Sequence, residues 1–290
     1  SSIVLPSENS FKRVHVEGNA LSFATLPTFD GAEEYTFSPQ DDVTIPTIGP
    51  GCDLAEHNFE NATVYVLKFE DGTKCALGTD YTVDGGKIRY LEPLIGKKVF
   101  AEMTNPNFAG LTLKTTVMEA AAMPTHVFGT FTTTNNATGT LIMVAKEPST
   151  LVCIDWKGDG VELEQYIIGT SPTRFDVTSH AGCTARVYSY NENSGITVFS
   201  ISNVMMSSAD FSPMTELTAL TVKGAGLSAI TMPEAAIEEL NLDSNSLSSI
   251  DLSKYASSLK YLFLNSNQFT EFDASAYPNL MLLGMNNNQL

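Results

Sequence analysis

Four histidines (His15, His57, His126, His180) and four cysteines (Cys52, Cys75, Cys153, Cys183) are the side chains of this chain best suited to metal binding or nucleophilic chemistry. Their spacing supports neither. The histidines are far apart in sequence, and neither cysteine pair has the spacing of a tetrahedral metal site. No H-E-x-x-H, G-x-S-x-G or phosphate-cradling glycine motif occurs. Asp155 and Asp159 flank Trp156, the only tryptophan, and could be taken for paired carboxylates or calcium ligands. The commoner reading of Lys157, Gly158, Asp159 and Gly160 is a hairpin turn. The expectation is a protein that is not an enzyme, with no catalytic residue, cofactor or metal site. Cys52 with Cys75 and Cys153 with Cys183 could each form a disulfide, or all four could stay free and buried.

The chemistry that the sequence does offer is recognition. Tyr261, Phe263 and Leu282, edged by Glu239, Asn241 and Asp243, have the composition of a protein-binding hot spot, with aromatic anchors inside a polar rim. They converge only if the segments that carry them stack in register.

A repeat supplies that stacking. Leu259, Leu262, Leu264, Asn267 and Phe269 follow the spacing L-x-x-L-x-L-x-x-N-x-L. So do Ile237, Leu240, Leu242, Asn245 and Leu247, and then Leu280, Leu283, Met285, Asn288 and Leu290. Leu217, Leu220, Val222, Ala225 and Leu227 keep the apolar positions, and Ile196, Phe199, Ile201, Val204 and Met206 form a degenerate copy. Starts at 196, 217, 237, 259 and 280 give periods of 21, 20, 22 and 21 residues, within the range of leucine-rich repeats, about 20–29 residues. An L-x-L pair directs two side chains to one face of a short strand. The asparagine can bond corner backbone groups that would otherwise be orphaned, so Asn245, Asn267 and Asn288 should form a ladder. The residues between the leucines then face outward in three columns. The first is Val198, Ala219, Glu239, Tyr261 and Leu282, and the second is Ser200, Thr221, Asn241, Phe263 and Gly284. The third is Ser202, Lys223, Asp243, Asn265 and Asn286. The competing reading is that a further repeat or flank covers Phe263 and Leu282.

Composition bounds the rest. With 43% hydrophobic and 17% charged residues the chain is that of a folded protein, and 290 residues suggest two or three domains. A net charge of −17 repels phosphate backbones, which argues against a nucleic-acid partner. No apolar run approaches the roughly 20 residues that span a bilayer. Ser1 leads directly into Ile3, Val4 and Leu5 without a basic region, and the last repeat has no polar cap. Both features suggest a mature or trimmed piece of something longer.

In chain order, residues 1–27 read as the tail of another array, because Phe11, Val14, Val16, Asn19 and Leu21 keep the repeat spacing, with Ile3 and Leu5 ahead of them. From about residue 28 to 120, short alternating segments with turn dipeptides at Asp71-Gly72 and Gly85-Gly86 suggest an immunoglobulin-like sandwich. Within 121–195, Trp156 to Gly160 resembles the W-D-F-G-D-G hairpin of polycystic-kidney-disease (PKD) type domains, and 182–187 resembles that family's G-T-Y-T-V strand. The predicted fold is mainly β: two immunoglobulin-like sandwich modules (28–120 and the PKD-like 121–195) followed by a leucine-rich-repeat solenoid over 196–290. This order resembles the leucine-rich-repeat surface proteins of gut-type bacteria, internalin-like in build.

That resemblance implies a non-catalytic, exported surface protein, often lipid-anchored, that binds another protein through the concave repeat face as an adhesin does. The alternatives are a glycan-binding module using the sandwiches, and an architectural stalk. A buried-looking Trp156 weighs against the glycan reading. The partner's identity is beyond the sequence.

Overall fold

The computed structural model describes residues 3, 11–27, 33–45, 47–161, 163–190 and 194–290. The predicted role of Leu5 and the lead-in at Val4 fall outside them. The chain is mainly β, 40% strand and 7% helix, and it winds as a β-solenoid. This overturns the predicted arrangement of two immunoglobulin-like sandwiches followed by a leucine-rich-repeat solenoid. The chain divides into two compact units, Ser1–Met123 and Pro124–Leu290.

In the second unit the coils are easiest to see. Strands Ile196–Ser202, Ala219–Lys223, Glu239–Asn241, Tyr261–Phe263 and Leu282–Gly284 pair in parallel, each one coil after the last. The inward residues Leu220, Leu240, Leu262, Leu242 and Leu264 are wholly buried. The return sides carry no α-helix. They are irregular, with short 3-10 turns at Ser253–Tyr255 and Ala274–Ala276. Each coil turns its corner through one left-handed residue: Asn203, Gly224, Ser244, Ser266 and Asn287, with φ between 55° and 65°.

The asparagines fix that corner. Asn267 donates from Nδ2 to the carbonyl of Leu242 in the preceding coil at 2.8 Å and to Leu264 in its own at 3.2 Å. Its Oδ1 accepts the Leu247 amide at 3.0 Å. Asn245 repeats this with Val222, Leu242 and Leu227, and Asn288 with Leu264, Met285 and Phe269. Three otherwise orphaned backbone groups are thus satisfied per coil, in a region where leaving one unpaired costs about 1–3 kcal/mol.

The array is not a module appended to a sandwich. Strand Ile196–Ser202 pairs in parallel with Ala219–Lys223 on one side and antiparallel with Thr138–Ala145 on the other. With Thr173–Thr178 at its edge, the sheet is seven strands wide. A second sheet of five strands, centred on Thr184–Ser189, covers the start of it. One core runs from Phe131 and Val152 through Phe199 to Leu264 and Phe269. The residues that suggested a PKD-like module therefore belong to the same body as the coils.

The first unit also opens with coils. Strand Arg13–His15 pairs in parallel with Glu34–Thr36, 21 residues on. Gly18 holds the left-handed corner at φ 68°, and Asn19 bonds the carbonyls of Val16 and Glu17. In the next coil Gln40 stands where an asparagine would. It donates to Val16 of the preceding coil at 2.7 Å and to Phe37 of its own at 2.6 Å, and it accepts the Leu21 amide at 3.2 Å. Residues 33–42, predicted to begin the first sandwich, are therefore a coil. The alternation there was that of a coil strand, and one extra methylene in the ladder residue concealed it. Beyond it, strands such as Val64–Phe69 and Lys98–Thr104 pair antiparallel over a core that includes Leu67, Val99 and Met103.

Candidate recognition face

Residues paired directly across a sheet point to the same side, so the register defines the outward face of the seven-stranded sheet. The first column runs Val144, Val198, Ala219, Glu239, Tyr261, Leu282. The second runs Arg174, Ile142, Ser200, Thr221, Asn241, Phe263, Gly284. The third begins Asp176, Thr140, Ser202, Lys223 and continues two residues along each coil to Asp243, Asn265 and Asn286. Ile142, Val144, Arg174 and Asp176 were not anticipated. Their strands pair with the coils over long sequence separations, and no local pattern announces that.

The six predicted contact residues all lie on this face. Tyr261 and Phe263 are half-buried and Leu282 is 43% exposed, while Leu262 and Leu264 between them are sealed inside. Glu239 is exposed, and its carboxylate has no partner among the described residues. Asp243 and Asn241 are instead committed to the sheet. Asp243 accepts from the backbone and side-chain nitrogens of Asn265 at 2.7 and 2.9 Å and lies 3.9 Å from Lys223 Nζ. Asn241 Oδ1 accepts the Asp243 amide at 3.0 Å. Asn265 in turn accepts from the Asn286 amide at 2.8 Å. The third column is thus a second polar ladder that holds one border of the face rigid. The open surface is the first two columns. A Cβ at Gly284 would meet Asn265 Nδ2 at 2.8 Å, so a larger residue there would displace the amide that bonds Asp243.

The other candidates sort differently. Asp155 is buried and accepts the amides of Gly158 and Gly160 at 2.7 and 2.8 Å, while Asp159 accepts Val161 at 3.0 Å. These carboxylates close the hairpin. Trp156 is 2% exposed, packs edge-on against Phe131 and donates to Tyr166 Oη at 3.0 Å, so it belongs to the core. No disulfide joins any of the four cysteines. Burial pushes the Cys75 thiol up to about 11 and Cys153 to about 12, which keeps both protonated and unreactive. Among the described residues no cluster of three or more His, Cys, Asp or Glu side chains could hold a metal ion, and no helix is long and apolar enough to cross a membrane.

Comparison with known proteins finds no family model, curated protein or solved structure that matches the chain, and nothing in it identifies an internalin-like build.

Proposed function

We propose that this is a non-catalytic binding protein that takes another protein on the outward face of its seven-stranded sheet, at the surface of the cell that exports it. One observation carries the binding part: the outward row Val144, Val198, Ala219, Glu239, Tyr261 and Leu282, apolar except at Glu239 and with Phe263 beside it, is left on a sheet whose third column is already tied down. Aromatic and aliphatic anchors on a rigid support, next to an unpaired carboxylate at Glu239, suit a protein partner better than a sugar. With Trp156 in the core, the single tryptophan offers the glycan alternative no platform. The exported, adhesin-like setting rests on the sequence resemblance alone.

The test is capture by the full chain from extracts of cells that could meet it, run in parallel with the Tyr261→Ala, Phe263→Ala double variant. A partner taken by the parent and lost by an equally stable variant supports the reading. A partner taken equally by both overturns it, and binding only to a glycan array moves the site elsewhere.

A further inference from the structure

One turn of the first unit gathers the polar atoms that the fold leaves unmet. His57 Nδ1, His57 Nε2 and Asn58 Oδ1 are buried without a hydrogen-bond partner among the described residues. His57 as a whole is only 6% exposed. The same turn holds two successive left-handed residues, Glu60 at φ 53° and Asn61 at φ 55°, a conformation that is costly for a side chain such as glutamate. Native interiors rarely leave such groups unmet, and backbone strain persists only where the surrounding contacts enforce it.

Those contacts hold the turn by its backbone. The Leu54 amide donates to the carbonyl of Gly86 at 2.9 Å, and Tyr65 Oη donates to the carbonyl of Leu54 at 3.3 Å. Thr63 Oγ1 donates to the carbonyl of His57 at 2.9 Å, and Asn105 Nδ2 reaches the Phe59 carbonyl at 2.9 Å and Thr63 Oγ1 at 3.0 Å. Phe59 sits edge-on against Phe108, ring centroids 5.5 Å apart. None of these bonds serves the imidazole. The charged groups around it are Asp53, Glu56 and Glu60 on the turn and its approach, with Asp41 and Asp42 on the neighbouring segment. Glu56 Oε1 lies 3.4 Å from Nε2 but outside hydrogen-bond geometry, and its side chain is 82% exposed, so water screens it. Burial lowers the ring's affinity for a proton by more than Glu56 raises it.

We propose that the turn from Leu54 to Thr63 is a conformational switch opened by mild acid: a proton taken up by His57 is accommodated only when the turn swings out and the ring meets water. Above pH 6.5 the ring is neutral whether the turn is open or shut, and pH does not move the balance. Below 6.5 the open form takes up the proton first. Its population then rises by up to about tenfold per pH unit until the closed form protonates as well. Opening draws Phe59 off Phe108, a ring that also stacks on Phe23 and meets Phe37 edge-on. Acid therefore bares an aromatic surface that is shut at neutral pH.

The experiment is amide hydrogen exchange of the full chain from pH 7 to pH 5, corrected for the intrinsic effect of pH on exchange. The amides of His57, Asn58 and Ala62, bonded inside the turn to Leu54, Ala55 and Phe59, should open more often as pH falls below 6.5, by up to about tenfold per unit. The strand Val64–Phe69 that follows should not respond. In His57→Phe the corrected rates of the turn should be flat with pH. Should that variant fail to fold, the ring ¹⁵N signals of the parent decide, because His57 should titrate below 6.5. Turn rates that ignore pH, an acid response kept by folded His57→Phe, equal opening of turn and strand, or a His57 ring that titrates at 6.5 or above would overturn the proposal.

Discussion

Gln40 is bonded to the corner that Asn19 holds as Asn267 is bonded to the corner of Asn245. Each donates to a carbonyl three residues before the earlier corner residue, Val16 or Leu242. Each also accepts the amide two residues after it, Leu21 or Leu247. Two units with different sequences thus share one device for joining coils.

If the device is general, its removal should cost similar amounts in both places. Asn267→Ala and Gln40→Ala should each lower unfolding free energy by about 1–3 kcal/mol in chemical denaturation. Gln40→Asn should recover only part of the loss, because the shorter side chain spans the corner less well. Parent-like stability of either alanine variant would show that the ladder bonds are incidental.

The phase of the coil strands can be checked by contrast. Leu262→Ala and Leu264→Ala should each cost about 2–5 kcal/mol, as truncations of fully buried leucines do. Tyr261→Ala with Phe263→Ala should cost less per residue than either leucine variant, because both rings are half-exposed. A double variant as damaging per residue as the leucine variants would make both aromatics core residues and remove the recognition face.

Calcium should have no effect. Asp155 already spends both carboxylate oxygens on Gly158 and Gly160, so neither calcium nor a chelator should move the melting temperature. Asp155→Ala should lower stability by about 1–3 kcal/mol by orphaning those amides. A melting temperature raised by calcium would return Asp155 and Asp159 to the role of ligands.

His57 should make the fold sensitive to mild acid. Burial lowers its folded-state pKa below the ordinary 6.5, with Glu56 opposing weakly. Above 6.5 the ring is neutral folded or unfolded, and its contribution does not change with pH. Below 6.5 the unfolded chain takes up the proton first, so stability is lost as pH falls toward and through the lowered value, by at most about 1.4 kcal/mol per pH unit. The difference in stability between parent and His57→Leu, measured from pH 7 to pH 5, isolates this from the carboxylates. A difference that stays constant across that range would contradict the assignment.

The last coils were legible because every apolar position and each asparagine was kept, so spacing alone gave strand phase, ladder and outward columns. Residues 33–42 were not, because Tyr35, Phe37 and Gln40 stand at positions that carry leucine and asparagine elsewhere, and their alternation equally suits a sandwich strand. The joining of Ile196–Ser202 to Thr138–Ala145 was illegible for a different reason. Pairing between distant strands leaves no periodic trace, so one sheet was divided into two modules and the face lost its strands bearing Ile142 and Arg174.

The corner bonds also run one way. Asn267 completes the corner of Asn245 by bonding Leu242 and Leu247, whereas the side-chain hydrogen bonds of Asn245 run to its own coil and the one before it. Each coil is finished by its successor. An injury at one corner is therefore felt upstream: in Asn267→Ala the amide of Leu247, a coil earlier, should be the first to exchange its proton with solvent. The array has a grain, and damage to it travels toward the amino terminus.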